Sequence, residues 1–247
     1  MPYFLLTPLR LGVLRFRGWP MTRGARVSYP VPDYLNASRE VFDLRGRQGT
    51  RKRILDAAGE LLQRNGFGGF SYQHIAAQLG VKNAAIHYHF PSKTDLGVAL
   101  IRRYRANFTW WTDQLAAQGV DPVARMEAFC DLEERYLREG KVCPLGVVGV
   151  EHAGIPEAMR RETEVFLGEL LAWMTRTLED GAAQGVMTFS GSAGGKALSV
   201  LTALQGGLQV ARVGGGTAFQ GVVEQLRSEL GLPRERTARK PVAAMGA

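Results

Sequence analysis

With 247 residues, 45% of them apolar and 22% charged, the chain can bury the core of one large folded unit, or of a small one joined to a larger. Two cysteines, Cys130 and Cys143, are too few for a disulfide framework, and no CxxC motif or Cys/His cluster points to structural zinc, so a reducing cytoplasm is the expected setting. The net charge of +8 sits at one end: residues 1–53 hold 11 Lys/Arg against 3 Asp/Glu, residues 54–247 hold 20 of each, and residues 121–180 are net acidic. That asymmetry is expected if one end meets a polyanion and the rest does not.

The first 20 residues resemble a signal peptide only superficially. No basic region precedes their apolar run, and Pro8, Arg10, Arg15 and Arg17 interrupt it. No stretch reaches the roughly 18–20 apolar residues of a membrane-spanning helix, so no membrane partner is expected. Residues 1–49 carry five prolines, many arginines and no sustained period. They read as a disordered basic arm, as an over-long reading frame with Met21 the true start, or as an arm adding sequence-independent DNA affinity.

Order is expected from about Thr50. Ile54, Ala58, Leu61 and Leu62 share one helical face, and Asn65-Gly66 ends that helix. Ser71 is a good N-cap for a short second helix carrying Ile75, Ala76 and Leu79, which Gly80 breaks. A third short helix follows, with Val81 and Ile86 as inward candidates, and Phe90-Pro91 stops it. Ser92-Lys93-Thr94-Asp95 has the form of a capping box before a long helix over about 93–117. Two short helices joined by a tight glycine turn make a helix-turn-helix. Further helices are expected near 121–139, 156–181, 192–213 and 215–230, with almost no strand signal and a basic tail after Gly231. The fold class is therefore all-α. The expected division is an arm (1–49), a helix-turn-helix domain (50–96), a larger helical domain (97–231) and a flexible tail (232–247).

His87 and His89 flank Tyr88 at the end of the third helix. A shared metal is disfavoured, because residues two apart on a helix project about 200° from each other, and no acid or cysteine nearby completes a ligand set. A catalytic pair lacks a nucleophile at a useful spacing. Ordinary side chains at a helix end remain one reading. Nucleic-acid contact explains more of the stretch. Lys82, Asn83, Ala84 and Ala85 give a first turn small enough to approach a groove and able to donate to base edges. Tyr88, His89 and Lys93 can then donate to phosphate.

Residues 51–96, RKRILDAAGELLQRNGFGGFSYQHIAAQLGVKNAAIHYHFPSKTDL, resemble the DNA-binding domain of the tetracycline-repressor (TetR) family. The likeness lies in the RILDAA opening, the NGF turn, the I-A-x-x-L-G-V second helix, the Y-H-F ending and the x-x-K-x-x-L that follows. It implies a three-helix DNA-binding domain followed by a larger helical domain that dimerises and binds a small-molecule effector, with no cofactor and no catalytic residues. By position it implies base or adjacent backbone contacts for Lys82, Asn83, Ala84, Ala85 and His87. It implies phosphate contacts for Ser71, Tyr88, His89 and Lys93. The family commonly has Tyr at position 87, and here it is His.

Beyond residue 110 the resemblance fades. The small residues of Ala203–Ala211 permit close helix approach, either within the chain or across a homodimer, and a dimer would read a two-fold operator. Effector-pocket candidates are Phe108, Trp111, Phe129, Cys143, His152 and Trp173, with Trp110, Tyr136, Met159 and Phe166 as further aromatic or polarizable candidates; each could equally be plain core. The segment GKVCPLGVVGVEHAG, residues 140–154, resembles a Cys-Leu-hydrophobic segment in one branch of the family, some of whose members sense electrophiles or oxidants. Cys143 is thus either a structural or a sensing thiol. An enzyme is the rival from another class. Against it, Glu133-Glu134 and Glu151-His152 have no nucleophile beside them, and Gly214-Gly215-Gly216 lacks the strand that a phosphate loop needs. The remaining alternative is an architectural DNA binder without an effector.

Overall fold

The computed structural model describes residues 46–232, with side chains from Gly49 onward. The basic arm up to residue 45 and the tail from residue 233 lie outside the described residues. Among those described, every regular element is helical, as the sequence periodicity predicts.

The first helix, α1, spans Gly46–Asn65 and so starts four residues before the expected onset of order. Ile54, Ala58 and Leu62 form its fully buried stripe. Gly66 ends it with φ 82°, its N–H reaching back to the Leu62 carbonyl at 2.9 Å. Phe67 and Phe70 then pack edge-to-face at 6.1 Å beneath the domain. α2 (Tyr72–Leu79) has Ser71 as its N-cap and ends at Gly80 in the left-handed conformation. α3 (Asn83–His89) is anchored by Ile86, which is fully buried. α4 (Lys93–Ala117) opens with the expected reciprocal cap: the Asp95 N–H donates to Ser92 Oγ and the Ser92 N–H to Asp95 Oδ2.

The larger bundle continues with α5 (Pro122–Arg138), α6 (Pro144–Val150), α7 (Glu157–Ala183), α8 (Ala193–Gly214) and α9 (Thr217–Glu229). The helix α6 is absent from the sequence-based expectation. It is only seven residues long and mostly apolar, so its amphipathic period is unreadable; Pro144 at its start is the local signal for it. α4 and α7 pack closely because Gly97 leaves room for Met159 and Phe67, which an added Cβ would overlap. Arg105 pins the same pair of helices through Glu162 and Glu169 at 2.7 and 2.5 Å. At Gly207, in the small-residue run of α8, an added Cβ would crowd Val222 and Phe219 of α9. That part of the run serves packing within the chain. A different face of α8 carries Leu198, Thr202, Gly206, Val210 and Val213, all exposed.

Candidate nucleic-acid interface

Helix α3 is short and marginal by itself, so its presentation depends on what holds its inner face. Ile86 fills the small core, and behind it the Tyr72 hydroxyl donates to the Phe90 carbonyl at 2.8 Å, fixing the end of α3 against α2. Burial, with Asp95 nearby, pushes the Tyr72 phenol up to about 12, so it stays a neutral donor. Cationic groups of α1 close the same small core. The Arg51 guanidinium sits 4.9 Å from the centre of the Phe90 ring, and Arg53 donates to the Leu79 carbonyl that ends α2.

On this support the outer edge of α3 carries Lys82, Ala84, His87 and Tyr88, all exposed, with Tyr88 at 68%. Lys82 is the N-cap residue of the helix and not part of its first turn. Asn83 and Ala85 are half-buried, and Asn83 Oδ1 is buried without a partner among the described residues. His87 and His89 diverge as their spacing requires. The His87 Nδ1 lies 3.3 Å from the Pro91 carbonyl, and its ring stands edge-on to Tyr72 at 4.7 Å. The His89 ring packs against Tyr88 at 5.2 Å. Ser71 lies at the head of α2, its N–H donated to His74 Nδ1. No group of three or more His, Cys, Asp or Glu among the described residues is placed to hold a metal.

Lys93 does not join that outer edge. Its ammonium donates to the Phe67 carbonyl at 2.6 Å and lies 4.6 and 4.7 Å from the centres of the Phe67 and Phe70 rings. Partial burial lowers its pKa, with Glu151 opposing the shift. The spacing that suggests a phosphate contact also fits a lysine closing the carbonyl end of α1, and the structure has the second arrangement.

The same turn is held from the other side by the larger domain. Glu151, just beyond α6, accepts the N–H groups of Phe67 at 2.5 Å and Gly68 at 3.2 Å. Nearby, Gln63 of α1 exchanges two hydrogen bonds with the Val142 backbone at 3.0 and 3.1 Å. Lys141, almost fully buried, pairs with Glu60 at 2.6 Å and Glu139 at 2.7 Å. The segment from Lys141 to Glu151 therefore touches α1 at one end and the turn after α1 at the other.

Four of the effector-pocket candidates form one aromatic cluster: Trp173 lies 5.5, 5.6 and 5.9 Å from Trp111, Phe108 and Phe129. Phe166 joins it through Phe108 at 5.9 Å. Trp173 also reaches the wall of a charged cleft of about 400 Å³ between α4, α5 and α7. Trp110 points outward and is 45% exposed. His152 does not belong with Cys143. The cysteine is buried at the head of α6, whereas His152 lies exposed in the turn after its far end. Sequence reasoning set Glu133 and Glu151 aside for want of a nucleophile and missed Gln205. A signal existed for Glu133, since Met126, Phe129 and Glu133 share one buried face of α5.

Residues 54–100 match the model for bacterial regulatory proteins of the tetR family. A crystal structure of a TetR-family transcriptional regulator from Agrobacterium tumefaciens superposes with a TM-score of 0.70 at 28% identity, covering 74% of this chain and 98% of that one. Residues 54–100 thus carry a TetR-family DNA-binding domain. Among curated TetR-family relatives, the HTH-type transcriptional repressor NicS of Pseudomonas putida is 24% identical over 138 residues, 56% of this chain and 65% of that protein. The biofilm operon icaADBC HTH-type negative transcriptional regulator IcaR of Staphylococcus aureus is 28% identical over 93 residues, 36% of this chain and 50% of that protein. The matches thus span about two thirds and half of these relatives' lengths. No helix among the described residues is long and apolar enough to cross a membrane.

Proposed function

We propose that the protein is a homodimeric transcriptional regulator, a repressor that leaves its operator when a small molecule binds the C-terminal helices. Residues 50–96 form the DNA-reading unit, with the helical start drawn back to Gly46, and residues 97–231 form the effector-binding and dimerising unit. The observation that carries this reading is the exposed edge of α3, Lys82, Ala84, His87 and Tyr88, standing on a rigid internal brace of Ile86, Tyr72 and Phe90. In this reading Asn83 faces base edges, Lys82 meets the DNA backbone beside them, Ala84 and Ala85 let the backbone approach, and Ser71, Tyr88 and His89 donate to phosphates.

The exposed α8 face supports dimerisation. Leu198, Val210 and Val213 are 52%, 59% and 93% exposed on one stripe, and a second copy would cover them. One helix-turn-helix reads too few base pairs to be specific alone, whereas two related by a two-fold axis read half-sites about 34–36 Å apart. Control runs through α6, whose head lies in the C-terminal core and whose end grips the turn after α1. A shift of α6 changes the spacing of the two α3 helices and so the fit to the operator.

Selection of bound fragments from random DNA by the full-length protein tests this. Enrichment of a sequence with two related half-sites is expected, and recovery of fragments without any shared sequence would overturn the reading.

A further inference from the structure

The C-terminal core holds one group of polar side chains that DNA contact does not use. Glu133 of α5 is 1% exposed, and its Oε2 has no hydrogen-bond partner among the described residues. Gln205 of α8 has both amide atoms buried; its nitrogen faces the Cys143 sulfur, and its Oε1 has no hydrogen-bond partner among the described residues. Its side chain fills the space above Gly146 of α6, where an added Cβ would overlap Gln205 Oε1. Cys143, at the head of α6, lies between the two and interacts with both side chains. Three helices thus bring a carboxyl, an amide and a thiol to one buried point.

Buried polar atoms in native proteins are overwhelmingly paired, and a buried carboxyl without a cation is the costliest exception. No Lys or Arg among the described residues pairs with Glu133. The open hydrogen-bonding capacity is mainly that of acceptors, Glu133 Oε2 and Gln205 Oε1. An apolar wall adjoins it, because Phe129 precedes Glu133 by one helical turn and its ring lies 5.9 Å from that of Trp173. The combination suits a ligand with a flat apolar body and a charged N–H donor head.

We propose that Glu133 and Gln205 form the recognition point for a small aromatic organic cation, an amine or amidine, whose N–H groups donate to Glu133 Oε2 and Gln205 Oε1. The proposal rests on the C-terminal helices being an effector domain and adds the chemistry of the effector. Gln205 is only half-buried as a residue, so its side chain can swing aside to admit the ligand past Gly146. The ligand then bears on the head of α6, the helix whose other end carries the Glu151 contact to the DNA-reading unit.

Calorimetric titration of the full-length protein with benzamidine, beside the neutral isostere benzamide, tests the assignment. Saturable binding of benzamidine is expected, roughly tenfold or more tighter than benzamide. Glu133→Gln, which keeps shape and removes the charge, should weaken it by a similar factor, and Gln205→Ala should weaken it several-fold. Equal binding of benzamide, undiminished binding by both variants, or no saturable binding at millimolar benzamidine would each overturn the proposal. Operator selection run in parallel separates the two readings. An enriched operator without benzamidine binding overturns only the ligand class, whereas the absence of any enriched sequence overturns the regulator itself.

Discussion

Glu151 accepts the backbone N–H of Phe67 at 2.5 Å, joining the end of α6 to the turn that follows α1. Its second oxygen takes the Gly68 N–H, so one carboxylate satisfies two backbone donors of that turn. Gly66 beside it must remain glycine for two reasons: its φ is 82°, and an added Cβ would overlap the Glu151 carboxylate. Removing this carboxylate should loosen the two units from each other before it unfolds either. Glu151→Ala is expected to cost about 1–2 kcal/mol of stability, the penalty of leaving partly buried donors unpaired, as read by chemical denaturation. The same variant should bind operator DNA but respond less to effector. An unchanged response would remove Glu151 from the coupling route.

Lys93 and Lys82 should separate in a salt titration of DNA binding. The Lys82 side chain is exposed at the head of α3, while the Lys93 ammonium is committed to the Phe67 carbonyl and two aromatic rings. Lys82→Ala should reduce the slope of log affinity against log salt by about 1, the loss of one phosphate contact. Lys93→Ala should leave that slope unchanged and instead lower the stability of the protein by about 1–2 kcal/mol, through one lost hydrogen bond and cation–π contacts. Equal slopes for wild type and Lys82→Ala, with a reduced slope for Lys93→Ala, would reverse the assignment.

Tyr88 offers a third check because it is the most exposed aromatic side chain of the α3 edge. Tyr88→Phe removes a hydroxyl donor and little else. It should weaken operator and random DNA alike by about 1 kcal/mol, the value of one modest hydrogen bond. Asn83→Ala, in contrast, should change which base is preferred in selected fragments. A base-specific effect of Tyr88→Phe would move that residue from phosphate gripping to reading.

How much of this was legible in the sequence depended on what each local pattern had to encode. The first four helices were readable because Gly66, Gly80, Ser71 and the Ser92/Asp95 box punctuate them with unambiguous conformational demands. The long helices of the bundle were readable from their period. α6 was not, since seven apolar residues show no amphipathic face. Lys93 was ambiguous because a lysine at that spacing suits either phosphate or a carbonyl just past a helix end, and only the placement of Phe67 and Phe70 shows what it meets in this structure. Glu151 and Gln205 act across more than 80 and 60 residues of sequence respectively, on Phe67 and beside Cys143, and no local pattern carries a contact of that range.

Cys143 should behave as a structural thiol in this conformation. It is 4% exposed, and burial together with the neighbouring Glu133 carboxyl pushes its pKa well above the ordinary thiol value. A thiolate is the reactive form, so the group is both inaccessible and protonated. In a Cys130→Ala variant, which leaves Cys143 alone, Ellman's reagent should react only when denaturant opens the protein. Rapid labelling of the native variant would restore a sensing role.

Glu133 should give the folded protein an unusual pH dependence. Burial raises its carboxyl from the ordinary 4.5 to about 7, an effect that the Cys143 thiol donating to it only partly offsets. The group therefore binds its proton more tightly when folded than when unfolded. Its favourable contribution is fully present below pH 4.5 and is lost as pH rises toward and through about 7. Cys143, the titratable group against it, stays neutral across that range because burial raises its own pKa. Glu133→Gln keeps the size and removes the ionisation, so it should be more stable than wild type at pH 8, by up to about 3 kcal/mol. The difference should shrink steadily as the pH falls and vanish near pH 4. Denaturation curves of both proteins across this range provide the check. A stability difference that does not vary with pH would show that Glu133 is ionised in the folded core, held by a partner other than Cys143.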